Sequence, residues 1–328
     1  MKSAARRQPQ RLVLIGSVLI DILMYVDHLP ERGGDSVARR TMLTSGGGFN
    51  LLAGARRLGL SAAYAGRVGD GPMGNQVIAD LEAAGIPLLL PRVRGEDSGF
   101  DIALVEQDAE RTFVTAPGIE SRLRLEDLRQ LFLQPGDAVY VSGYELCYPI
   151  SGASLESWLP GLSEQVLLVF DPGPLVAEIP ATRLEHLLTR VDIISLNARE
   201  AHILTGTTKL DDATASLVPR IASRGLVIAR AGAEGCWIAS STHAPQHIPP
   251  RPTRAVDTTG AGDTHVAALL ARLAAGDDFA SAAYQANVAA SISVERPGPA
   301  TGPTLQELAS TLEAMHGSSL PIFSSQPH

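Results

Sequence analysis

The 328-residue sequence holds only two cysteines, Cys147 and Cys236. That excludes a disulfide framework and a multi-cysteine metal site, and it suits a reducing compartment where a thiol serves as a small hydrophobe. Aromatic residues are 5% of the chain, so the core has to be aliphatic. Basic residues are outnumbered, 27 against 35 acidic, and the net charge of −8 argues against nucleic acid or an anionic membrane surface as partner. No apolar run approaches the ~18 residues of a membrane span. The run 12–20 follows Arg6, Arg7 and Arg11 but stops at Asp21, with no small-residue cleavage pattern behind it. It reads as a buried first strand rather than a secretory leader, and the expected compartment is the cytoplasm. No G-x-x-x-x-G-K-[ST] run occurs, which excludes a P-loop kinase.

Glycine (31) and proline (22) are plentiful, while 45% hydrophobic and 19% charged residues describe a folded chain. Short apolar runs alternate with helical patterns. The spacing predicts strands at 12–16, 62–68, 86–90, 138–142, 166–170, 193–196 and 226–229. Helices are expected at 50–58, 73–84, 151–159, 181–190, 198–205, 212–224, 261–275, 278–292 and 304–315. Such alternation predicts a mostly parallel sheet with helices on both faces. Two segments break the rhythm, 19–47 and 98–116. The second alternates Phe100, Ile102 and Leu104, turns at 107–110, and resumes at Thr112-Phe113-Val114, which is a hairpin pattern. Together they predict a small β lid over the C-terminal ends of the parallel strands, where ligands bind in open α/β sheets. A domain of 11–316 with tails at 1–10 and 317–328 is expected.

Residues 257–263 read Asp-Thr-Thr-Gly-Ala-Gly-Asp, directly before the helix pattern. A glycine-rich turn running into a helix N-terminus offers unpaired N–H groups and a positive dipole end to an anion. Asp263 is then either the helix cap or a base that takes a proton from a substrate hydroxyl.

This run resembles the C-terminal signature of the PfkB/ribokinase-like carbohydrate kinases. Gly46-Gly47-Gly48-Phe49-Asn50, with Ala53 and Arg57-Leu58-Gly59 after it, resembles their N-terminal signature. Gly66-Arg67-Val68-Gly69-Asp70 with Gly74, Asn197-Ala198-Arg199-Glu200, Gly232-Ala233-Glu234-Gly235 and Asn287 follow in the family's order. The resemblance implies a ribokinase-like three-layer α/β/α fold with a β lid. It implies phosphoryl transfer from ATP to a hydroxymethyl group of a small sugar, with Mg2+. Position by position, Asp263 resembles the catalytic base, and Gly260, Ala261 and Gly262 the anion hole. Asn197 and Glu200 resemble the pair that organises Mg2+ through water; Gly232, Gly235 and Asn287 resemble the nucleotide pocket. Asp21, Gly46, Gly47 and Asn50 resemble the sugar contacts. Asp257, Thr259, Ser293, Arg296 and Gly298 occupy positions that hold a monovalent cation such as K+ in other members. Leu19 and Gly47 stand where ribokinases carry Asn and Lys, which points away from ribose itself.

Several residues admit two readings. Arg230 either touches a nucleotide phosphate or ends a strand. Glu145 reaches the acceptor or lies on the surface, and Arg111 faces the substrate or solvent. Cys147 reads as a buried filler and His265 as a packed helix residue. His243 and His247 are separated by Pro245, so no helix presents them as a metal pair. Gly69–Gly74 matches G-x-G-x-x-G with Glu96 and Asp97 downstream, but Pro72 and its place after a later strand argue against a dinucleotide site. Two alternatives to a sugar kinase remain open. One is a nucleoside or pseudouridine-type kinase with an aromatic slot drawn from Phe49, Phe100, Phe113 and Tyr144. The other is a non-catalytic ligand sensor. A lid with an exposed apolar face would also suit a homodimer.

Overall fold

The first strand carries the plan of the fold. Leu12 and Leu14 enter one buried cluster, Val13 and Ile15 another. A strand that is apolar on both faces needs a layer on each side. The computed structural model, which describes residues 8–106 and 111–316, supplies both layers. The strands, numbered in chain order, are β1 (Arg11–Ile15), β2 (Ile20–Tyr25), β3 (Arg40–Ser45), β4 (Ser61–Tyr64), β5 (Phe100–Val105) and β6 (Arg111–Ala116). They continue with β7 (Asp137–Ser142), β8 (Leu167–Asp171), β9 (Ile193–Asn197), β10 (Leu226–Arg230), β11 (Cys236–Ser240) and β12 (His243–Ile248).

One sheet has the order β12-β11-β10-β9-β8-β7-β1-β4. It is parallel from β4 to β10, and β11 and β12 add an antiparallel edge. Helices Phe49–Arg57, Ala261–Ala274 and Phe279–Ser293 bury one face, through residues such as Leu52, Leu269 and Ala286. Helices Pro149–Trp158, Ala181–Leu188, Ala198–Thr205 and Leu210–Leu217 bury the other, through Leu155, Leu184 and Leu217. This is the expected three-layer arrangement. No helix among the described residues is long and apolar enough to cross a membrane.

The second sheet, β3-β2-β5-β6, comes from the two segments that broke the rhythm. Its register places Thr44, Asp21, Asp101 and Thr115 in one row across the sheet. The adjacent residue of each strand makes a row on the opposite face: Leu43, Ile22, Ile102 and Val114. The expected turn at 107–110 lies outside the described residues, as do 1–7 and 317–328 of the expected tails. Gln10, within the expected N-terminal tail, is tied down by donating its N–H to the Gly136 carbonyl at 2.7 Å.

Three expectations need correction. Residues 86–90 form no strand; they make one isolated bridge, Tyr64 with Leu88. Pro87 has no N–H to give a ladder, and Pro91 ends the run. The strand expected at 62–68 stops at Tyr64. The β11–β12 edge hairpin was not anticipated, since Pro245 spoils its alternation; an edge strand tolerates that proline. The G-x-G-x-x-G decoy is resolved too. The helix Pro72–Ala83 is capped by Asp97, whose carboxylate accepts the N–H of Met73 at 3.2 Å and of Gly74 at 2.8 Å. Its anion position is therefore filled by the chain itself.

Candidate active site

A cavity of ≈ 440 Å³ lies between the lid and the C-terminal ends of the parallel strands. Asp21, Gly47 and Asn50 line one half, and Gly260, Ala261, Gly262 and Asp263 the other. Chain geometry explains the glycine pair. A Cβ on Gly46 would collide with the Asp21 carboxylate, and Gly47 holds φ +57 over the Ser17 carbonyl. Only a bare backbone lets the lid strand and the helix Phe49–Arg57 meet there.

Gly260 is the N-cap of Ala261–Ala274, left-handed at φ +69, and no side chain caps this helix. Of the two expected roles, Asp263 is thus not the helix cap. The first-turn donors of the helix are left to the cavity, apart from the Ala261 N–H, which donates to the Thr258 carbonyl at 3.2 Å. Burial pushes the Asp263 carboxyl up to about 7, with the Asp171 charge acting the same way and Arg230 and the Asn50 amide opposing it. A carboxyl near neutrality, facing the space where Asp21 and Asn50 wait, is poised for proton transfer.

Arg230 is neither a bland strand end nor free to move. A Cβ on Gly262 would stand 3.4 Å from the Arg230 Cζ, so the guanidinium lies close under the turn. It donates to Asp171 Oδ2 at 2.9 Å and Ser195 Oγ at 2.7 Å, and it stands 3.8 Å from Glu200 Oε2. Burial disfavours its charge, but Asp171 and Glu200 more than restore it. A fixed positive charge therefore underlies the anion turn. Glu200 lines the cavity, and burial followed by the Asp171 charge raises its carboxyl. Asn197 and Glu200 form a reciprocal capping box: Asn197 Oδ1 accepts the Glu200 N–H at 2.9 Å, and Glu200 Oε2 accepts the Asn197 N–H at 2.8 Å.

Other expected residues sit apart from the cavity. Asn287 spends its amide on the carbonyls of Ile248 (3.2 Å) and Pro249 (3.0 Å) and on His265 Nε2 (3.1 Å). His265 is buried, as expected, and burial followed by Arg230 pushes its pKa down to about 3, so the ring is neutral. A Cβ on Gly235 would strike the Ile248 carbonyl, so this glycine serves the β11–β12 edge. Gly232, at φ +57, begins the same turn between β10 and β11. Glu145 is fully buried and accepts the Ser17 hydroxyl at 2.6 Å. It reaches neither acceptor nor surface; it props the strand end under the cavity. Cys147 is half-buried against the Leu175 carbonyl, and burial raises its thiol, as for a filler. Among the described residues no three His, Cys, Asp or Glu could share a metal, and His247 instead meets the Glu234 carbonyl at 2.7 Å.

Of the five residues expected to cage a monovalent cation, Asp257, Ser293 and Arg296 already have protein partners, while Thr259 leaves its hydroxyl unpartnered. Both Asp257 oxygens are taken: Oδ1 accepts the Thr259 N–H at 2.8 Å and Arg111 Nη2 at 2.6 Å, and Oδ2 accepts the Gly298 N–H at 2.9 Å. Burial opposes ionisation here, but these partners hold the carboxyl at about 2. The Ser293 carbonyl accepts Thr301 Oγ1 and the Arg296 N–H, while the Arg296 guanidinium goes to Glu307 and the Thr301 carbonyl. Arg111, from the lid, brings the positive charge instead.

Asp171 and Asp101 line the cavity and were missed. Asp171 ends β8, one residue past the expected strand. Asp101 lies between Phe100 and Ile102, so the alternation already put it on the opposite face of the hairpin.

The sequence matches the profile of the pfkB family carbohydrate kinases over residues 9–306. It is 33% identical over 302 residues to the uncharacterized sugar kinase YegV of Escherichia coli (strain K12), covering 91% of this chain and 93% of that one. It is 32% identical over 270 residues to a ribokinase of Mus musculus, covering 80% and 81%. The crystal structure of a ribokinase from Thermotoga maritima superposes with a TM-score of 0.79 at 22% identity, over 92% of this chain and 99% of that one. The chain therefore belongs to the pfkB family of carbohydrate kinases, phosphotransferases that take an alcohol group as acceptor.

Proposed function

We propose that this protein is an ATP-dependent kinase of a small sugar, acting on an exocyclic hydroxyl in the cytoplasm. The observation that carries this reading is the position of Asp263: one carboxyl between an uncapped helix N-terminus and the Asp21–Asn50 side of a single cavity. Asp263 takes the hydroxyl proton, the freed oxygen bonds to the γ-phosphorus, and the bond to the β-phosphate oxygen breaks to release ADP. The donors of Gly260 and Gly262, backed by Arg230, offset the charge on the transferring group, and Ala261 joins them by giving up its bond to the Thr258 carbonyl. Gly232, Gly235 and Asn287 shape the nucleotide side from behind. Mg2+, when bound, would supply positive charge against the phosphates. Glu200 and Asn197 would hold it through water, which suits a cation that keeps several waters and needs few protein ligands. No monovalent cation is needed at Asp257 in this reading, because Arg111 already neutralises it.

A nucleoside-type acceptor is the second reading. Phe113, Tyr144 and Tyr148 line the cavity, whereas Phe49 and Phe100 pack with the core. A thermal-shift screen of sugars and nucleosides, with and without a non-hydrolysable ATP analogue, separates the two. Silence in both panels together with no turnover would favour a sensor. For catalysis itself, Asp263→Asn is expected to cut turnover by ~10²–10⁴ with ATP binding kept. Turnover within a few-fold of wild type would overturn the assignment. Since the base must be ionised, kcat/KM should fall as pH drops below about 7. We also propose that two copies pair through the outer face of the lid.

A further inference from the structure

The motifs leave Asp101 unused. It is the register partner of Asp21 across parallel strands β5 and β2, so both carboxylates project from one face, and Thr115 of β6 follows beside them. All three line the cavity. Oδ1 of Asp101 is buried and has no hydrogen-bond partner. Asn50, 6% exposed, also leaves its Oδ1 unpartnered there. Burial pushes Asp101 up to about 6, and Asp21 is raised to about 7 by burial and then by the charges of Asp101 and Asp263.

This half of the cavity therefore presents oxygens that need donors, and Arg111, whose charge reaches Asp21, spends its hydrogen bond on Asp257. Arg111 is held by Asp257, Arg230 by Asp171, and Arg40 lies over the Tyr25 ring. Buried acceptors without donors cost free energy until a ligand supplies the protons. A ligand that brings a further negative charge adds repulsion instead.

We propose that Asp101 is a second acceptor-binding carboxylate, paired with Asp21, that selects a neutral or cationic, hydroxyl-rich acceptor and rejects anionic ones such as sugar acids and sugar phosphates. This inference rests on the kinase reading and names its substrate class. Asp101 fixes adjacent donors of the acceptor, while Asp263 keeps the reacting hydroxyl.

The test uses the full chain with Mg·ATP and a panel built on one carbon skeleton: the neutral sugar, its amino sugar, its uronic acid and its phosphate ester. Calorimetric binding without nucleotide runs alongside. The neutral and amino forms should bind and react, and the two anions should be at least ~10-fold poorer in kcat/KM. Asp101→Ala should raise the KM for the neutral sugar ~10-fold or more, with a smaller change in kcat, and should narrow the gap to the anions. Asp101→Asn, the same shape without the charge, should narrow that gap by a similar factor even though its KM for the neutral sugar also rises. A KM within about two-fold of wild type in Asp101→Ala, or anions accepted as well as the neutral parent, overturns the inference while the kinase reading stands. If no member of any skeleton tested binds or reacts, the kinase reading falls and the inference with it.

Discussion

Asp21 shows what a functional carboxylate costs the fold. It is 7% exposed, and burial with two like charges lifts it from an ordinary 3.8 to about 7. A group with a raised folded pKa binds its proton more tightly in the native state. Its stabilisation is complete below pH 3.8 and is lost as pH rises through about 7. Asp21→Asn removes that loss. Its melting temperature should exceed that of wild type by about 5 °C at pH 8 and by clearly less at pH 5, while acceptor binding is impaired. Equal shifts at both pH values would show that Asp21 is not carrying the charge cost. At this scale the sequence was informative where chemistry is local. The turn from Asp257 to Asp263 fixes a helix start and a carboxyl beside it, and both are read from spacing. Asp171 was not legible, because nothing in the β8 run marks its last residue as facing a cavity. Asn287 was legible as a position but not as a contact, since its partners at Ile248 and Pro249 come from 38–39 residues away.

The lid is the element on which the site depends, and one of its holds on the body is the Arg111–Asp257 pair. Both side chains are largely buried, at 14% and 7% exposure, so solvent screens this pair far less than a surface one. Removing one partner would strand the other charge in the interior. Arg111→Met should therefore lower kcat/KM by ~10-fold or more, and it should raise ATP hydrolysis by water relative to acceptor phosphorylation, because a loosened lid admits solvent. Since the guanidinium already neutralises Asp257, wild-type rates in potassium, sodium and choline chloride at equal ionic strength should agree within about two-fold. Its melting temperature should be equally indifferent to the cation. A saturable stimulation by potassium alone, with a matching thermal shift, would mean that Arg111 yields its place. The lid strands were legible from alternation between 98 and 116, and the core strands from continuous apolar runs. The segment 86–90 misled because an apolar run states burial and not pairing: Tyr64 takes one bridge from it and Pro87 denies the rest. Ion pairs such as Arg111 with Asp257, 146 residues apart, leave no trace in local spacing.

At the scale of the molecule, the lid poses a problem that one chain does not solve. Its inner face is covered by the cavity and body, but the outer row Leu43–Ile22–Ile102–Val114 crosses all four strands. Leu43 is 57% exposed and Val114 64%. Each lies on an edge strand, β3 or β6, at an exposed end of the row, while Ile22 between them packs partly against the body, and such exposed apolar ends invite a second copy of the same surface. A two-fold pairing would bury the row against its own symmetry mate, in keeping with the isologous contacts of most homodimers. Sedimentation velocity and solution scattering should then give twice the 34.6 kDa of one chain. Val114→Lys places a charge in the row and should give the monomer. Val114 points away from the cavity, so any kinetic effect must pass through the lid. If pairing steadies the lid over the acceptor, Val114→Lys should raise the acceptor KM while leaving the nucleotide KM near its wild-type value. Wild-type protein that sediments as a monomer at assay concentrations removes the dimer. A dimer that Val114→Lys leaves intact moves the contact to another face.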